Sequence, residues 1–83
     1  MTALQTTLKN AKQKVQAGQK YVHYRSQEKK YLVLQVALLE ADCEPCVVYQ
    51  DLSDNDLIWV RPLQSFCELV EVSGKMVPRF QKI

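Results

Sequence analysis

Glycine is nearly missing from this chain: Gly18 and Gly74 are the only two in 83 residues. No glycine-rich loop can therefore cradle a phosphate or supply an oxyanion hole, and close backbone approach to a ligand is hard to arrange. Histidine is scarcer still. His23 stands alone, which rules out any pair or triad built from two histidines. Three cysteines, an odd number, do not close a disulfide framework and fit a reducing compartment. No apolar run approaches the roughly 18 residues of a membrane span, and "MTALQTTLKNAKQK" lacks the apolar stretch of a secretory signal. These absences point to a cytoplasmic, non-enzymatic protein without a cofactor.

What is present is an ordinary globular composition, 47% hydrophobic and 24% charged, in a chain long enough for one small core. Its net charge of +2 hides an asymmetry. Residues 1–30 hold seven cations and one anion, whereas residues 31–83 hold four cations and eight anions. A basic arm on an acidic body suits nucleic acid, a second copy of the chain, or the body itself.

Leu4, Leu8, Ala11 and Val15 recur at helical spacing, and Gly18 follows where a C-terminal cap belongs. The spacing predicts a helix over residues 3–17. Its thin stripe needs something to pack on, in cis or in a homo-oligomer. Beyond Gly18 the pattern shifts to alternation. "KYVHY" reads as a strand, "RSQEKK" as a polar turn, and "YLVLQVALL" as a central, bent strand. "EADCEP" is an acidic turn, "CVVYQDL" a strand, and "SDNDL" a turn built on Asp and Asn. "IWVRP" is a strand stopped by Pro62, "LQSF" one helical turn, and "CELVEV", "SG" and "KMVPRF" a closing hairpin. Close-spaced strands without crossover helices predict a mainly β fold: a small SH3-like antiparallel barrel over residues 19–83, preceded by one amphipathic α-helix over residues 1–18.

The stretches "YVHYRSQEKKYLVLQVA", "VVYQ", "LIWVRPLQSF" and "VPRF", in that order, resemble a family of small bacterial proteins known as a domain of unknown function (number 1653). The similarity runs from about Gly18 to Phe80. Arg25 and Ser26 stand where that pattern has a glycine, Leu39 where it has a histidine, and Ser53 where an aromatic is usual. The resemblance implies an SH3-like barrel and carries no activity. The site must come from the residues.

Trp59 and Arg61 share one face of their strand. The flanking aliphatics predict Ile58 and Val60 inward, with Trp59 and Arg61 outward. Tyr49 and Tyr24, or His23, are placed to flank them. Aromatics beside a guanidinium make a stacking surface for an extended peptide, a cation or a base. The competing reading makes Trp59 a cover over an open end of the barrel, with Arg61 stacked on it or paired with an acid such as Asp51. Tyr24, Tyr49, Trp59 and Arg61 are accordingly the candidate ligand site of a non-catalytic interaction module for a peptide-like ligand or partner protein. The alternative is single-stranded nucleic-acid binding, with Lys9, Lys12, Lys14 and Lys20 on phosphates and the same aromatics on bases. Cys43 and Cys46 form one C-x-x-C, a weak zinc signal without a second closely spaced pair, and no metal is assigned. Acidic neighbours disfavour its thiolates. Cys67 and His23 remain a formal nucleophile pair with no third group to orient them.

Overall fold

A computed structural model describes residues 1–83. The chain opens on helix α1 (Ala3–Lys14). Seven strands follow: β1 (Lys20–His23), β2 (Ser26–Leu38), β3 (Pro45–Asp51), β4 (Ile58–Pro62), β5 (Leu69–Val72), β6 (Lys75–Pro78) and β7 (Phe80–Lys82). A single helical turn, α2 (Leu63–Phe66), links β4 to β5.

A capping box starts α1: the Gln5 amide donates to Thr2 Oγ1 at 3.1 Å, and the Thr2 amide donates to Gln5 Oε1 at 2.8 Å. These bonds satisfy two amides at the open end of the helix. Lys12 and Lys14 suit the negative end of the helix dipole in the last turn. The helix stops at Lys14, three residues short of the predicted end. Val15 turns to extended backbone, φ −136° and ψ 131°, and its side chain is fully buried. Gly18 instead serves the following turn at φ 89°, where its amide donates to the Val33 carbonyl at 2.8 Å. Leu8, Ala11 and Val15 pack into the same core as the sheet, so the apolar stripe is used in cis. Leu4, at its far end, stays exposed.

Five strands form one antiparallel sheet in the order β4-β3-β2-β1-β7, and β5 pairs with β6 in a separate two-stranded sheet. The fold is therefore mainly β and antiparallel with one N-terminal helix, arranged as two sheets. The predicted polar turn "RSQEKK" is mostly strand: β1 and β2 meet tightly, with His23 opposite Ser26, and the exposed Gln27–Lys30 segment takes up a register shift before Val22 and Lys30 pair. Such polar residues stay solvated, and hydrophobic alternation is blind to them. Further on, β2 runs centrally between β1 and β3, and a register shift between Val33 and Gln35 bends it. Ser73 and Gly74 both hold positive φ, 52° and 81°, the geometry of a tight type I′ hairpin turn between β5 and β6. The predicted final strand divides at Arg79, and β7 leaves the hairpin to pair with β1.

Aromatic rings dominate the core. Phe66 and Phe80 stack with centroids 4.2 Å apart and planes 6° off parallel. Tyr49 meets both edge-on at 5.4 Å, and Tyr21 meets Phe66 at 5.1 Å. Edge-to-face pairs of this kind contribute beyond the area they bury. They fix the position of Phe80, which becomes the floor of the site described next.

Candidate functional site

Strand β3 buries Val47, Tyr49 and Asp51 in alternation, so their side chains define the inner face of the sheet. In β4, Arg61 stands opposite Val47 and Trp59 opposite Tyr49. Directly opposed residues share a face. Trp59 and Arg61 thus point inward, while Ile58 and Val60 lie on the outer face, 53% and 62% exposed. This reverses the predicted facing. A one-residue slip of register flips every side chain of a strand, and the register of β4 is set by the loop before it rather than by its own aliphatics. That loop is pinned by the Asp51 amide on the Leu57 carbonyl at 3.0 Å and the Leu57 amide on the Asp54 carbonyl at 3.0 Å. Because β4 is an edge strand, Trp59 faces inward yet stays 49% exposed.

The inward side chains open a groove of about 380 Å³ to which all five strands of the large sheet contribute. His23 comes from β1, Ser26, Lys29 and Tyr31 from β2, Tyr49 from β3, Trp59 and Arg61 from β4, and Phe80 from β7. Of the predicted ligand residues, Tyr49, Trp59 and Arg61 come together here. Tyr24 does not line the groove: its ring lies 4.8 Å from that of His23, which does, and its hydroxyl accepts from Arg25 Nε at 2.9 Å. Tyr31, Phe80, Ser26 and Lys29 complete the lining. The long-range pairing of β7 with β1 brings in Phe80, and the extension of β2 brings in Ser26 and Lys29.

Arg61 is half-buried and held by neutral partners. Its Nη1 donates to Ser65 Oγ at 2.9 Å, its Nε to the Tyr49 hydroxyl at 3.4 Å, and its guanidinium lies over the Phe80 ring at 5.5 Å. It neither stacks on Trp59 nor pairs with Asp51, as the competing reading had it. Asp51, 2% exposed, is occupied elsewhere: it accepts from Ser53 Oγ at 2.6 Å and from the Ser53 amide at 2.8 Å, and pairs with Lys29 at 3.4 Å. The bonds from Ser53, with Lys29 beside them, hold its carboxyl below the usual carboxylate range.

His23 packs edge-on against Phe80 at 5.1 Å, and its Nδ1 accepts from the Arg25 amide at 3.2 Å. The neutral ring then carries its proton on Nε2. Burial, with the guanidinium groups of Arg61, Arg79 and Arg25 nearby, lowers its pKa from the ordinary value. That shift favours the neutral ring.

The lysines stand apart. Lys9, Lys12, Lys14 and Lys20 are exposed, and none lines the aromatic groove. Lys14 instead borders a second cavity of about 580 Å³ that also holds Cys46, Cys67, Asp42 and Glu44. Burial, then Asp42 and Glu44, push the Cys46 thiol up, and burial does the same to Cys67. Cys43 sits in the exposed loop at φ 60°. No three His, Cys, Asp or Glu side chains gather as a metal-ligating group. His23 lines one cavity and Cys67 the other, so the formal nucleophile pair is not assembled.

These features describe a small antiparallel β protein with a shallow aromatic groove at the edge of its larger sheet. The chain belongs to the family described as "Protein of unknown function (DUF1653)", whose model matches residues 19–82. No curated protein and no solved structure matches it. No helix is long and apolar enough to cross a membrane.

Proposed function

We propose that this chain is a non-catalytic binding module on an SH3-like frame, whose groove at Tyr49, Trp59 and Arg61, with Tyr24 at its side, receives an extended peptide segment of a partner protein. One observation carries the reading: a half-exposed tryptophan and a half-buried guanidinium lie on the inner face of an edge strand, beside buried aromatic rings. A core tryptophan would be covered, and a solvent-facing one would lie on the other side of the sheet. Half-covered aromatic and Arg side chains beside a free strand edge are the elements of peptide recognition, in which apolar area supplies affinity and placed polar groups supply selectivity. The separation of His23 from the cysteines supports a role without chemistry. The lysines of α1 lie outside the groove and do not extend it into a nucleic-acid track.

Trp59 is the chain's one tryptophan, so its emission reports directly on the groove. Titrating the full chain with an array of short extended peptides should quench or blue-shift that emission for a subset of them. An array that leaves the emission unchanged would refute the assignment.

A further inference from the structure

The groove's charge is unbalanced. Only two ion pairs form in the protein, Lys29 with Asp51 and Arg79 with Glu68, and Arg61 takes part in neither. Lys29 and Asp51 cancel, and His23 Nδ1 accepts a hydrogen bond, which leaves Arg61 as the one uncompensated cation among the lining residues, with Arg25 near His23 but outside the lining. Two donors face no partner there: Arg61 Nη2 makes no hydrogen bond, and His23 Nε2 has only its proton to offer. Both side chains are located by the same ring, since His23 and Arg61 stand 5.1 and 5.5 Å from the centroid of Phe80. Nearby, Arg79 Nε is buried and also lacks an acceptor. A half-buried charge without a counter-ion is costly, and a ligand that supplies one recovers that cost on binding.

We propose that the groove selects a ligand bearing a carboxylate on an apolar body, with Arg61 as the counter-ion and His23 Nε2–H as a second donor. The inference rests on the binding reading above and specifies its ligand. A monoanion matches the single unpaired cation of the lining; a dianionic phosphate would bring more negative charge than Arg61 alone balances in that half-buried place. The apolar body lies against Trp59, Tyr31 and Tyr49, which line the groove together with Phe80. In a peptide the carboxylate comes either from an acidic side chain or from the chain end.

The test uses backbone amide NMR of the full chain with 3-phenylpropionate and its neutral isostere 3-phenylpropanamide. The acid should shift His23, Tyr49, Trp59 and Arg61 and bind about tenfold more tightly than the amide, as expected for a charge-assisted hydrogen bond. Arg61→Gln should erase that preference. Arg61→Lys, which keeps charge but not the planar fork, should retain part of it. Capped peptides then separate the two sources: a Glu peptide with an amidated end against a Gln peptide with a free end. Equal binding of acid and amide would overturn the carboxylate proposal and leave peptide binding standing. Absence of shifts from both probes and from the peptides would overturn both. If Arg61→Gln fails to fold by circular dichroism, the comparison of acid with amide on the native chain and on Arg61→Lys still decides.

Discussion

Replacing Trp59 and Phe66 by alanine, one at a time, separates a groove wall from a core element. A large aromatic side chain carries about 150–250 Å² of surface, worth about 25 cal/mol per Å² removed from water. Phe66 is 2% exposed and stacked on Phe80, and its loss also leaves a cavity. Phe66→Ala should therefore cost about 3–5 kcal/mol. Trp59 is 49% exposed at a sheet edge. Its removal gives up about half of the transfer gain and opens to solvent rather than to a closed void, so about 1–2 kcal/mol is at stake. A domain of this size has roughly 4–12 kcal/mol in total, at 0.05–0.15 per residue. Trp59→Ala should thus remain folded, while Phe66→Ala loses much or all of the native population. Urea unfolding followed by far-ultraviolet circular dichroism reads the difference without relying on tryptophan emission. With a slope of about 1 kcal/mol/M, the midpoint should fall by about 1–2 M for Trp59→Ala and by about 3–5 M for Phe66→Ala. Equal losses in the two variants would refute the placement of Trp59 at the rim.

Further outcomes follow from the same geometry. His23 has a lowered pKa, so the unfolded chain binds its proton more readily than the fold does. Stability should therefore be fully present above the unfolded value of about 6.5 and decline as pH falls from there toward the folded pKa, a slope that His23→Gln flattens in urea titrations between pH 5 and 8. Asp51 is held below the usual carboxylate range, so its contribution is present above a pH of about 4 and lost on acidification; Ser53→Ala should move the acid transition to higher pH. Ser73 occupies a positive φ before Gly74, a position that Asn tolerates better, and Ser73→Asn should raise the thermal midpoint by a degree or more, from about half a kcal/mol. Iodoacetamide should label exposed Cys43 well before Cys46, whose thiol is buried and pushed up in pKa; faster labelling of Cys46 would contradict its placement.

The elements readable from the chain were those whose signals are local. The stripe of α1, the Asp- and Asn-rich turn before β4 and the "SG" hairpin all declare themselves within a few residues, and each is present. The end of α1 was not readable, because Val15 leaves the helix to fill a core assembled from distant strands. The polar start of β2 was hidden by its solvated side chains. Most consequential was the facing of β4. Ile58 and Val60 suggest an inward side by hydropathy alone, yet they sit across from Gln50 and Val48 on the outer face. The alternation of β3, read jointly with the cross-strand register, is the signal that would have placed Trp59 and Arg61 correctly. Phe80 as the groove floor depends on β7 pairing with β1, a contact between the two ends of the β domain that no local pattern encodes.

The proposed role of the inner face at Tyr49, Trp59 and Arg61 is to receive a peptide. Backbone amide spectra of the native chain and of folded Trp59→Ala, each titrated with the same short peptides and with single-stranded RNA, test it most directly. Peptide-induced shifts should cluster at His23, Tyr49, Trp59 and Arg61 and vanish in Trp59→Ala. Shifts that persist in Trp59→Ala, or that arise only with RNA and only along Lys9, Lys12 and Lys14, would contradict it.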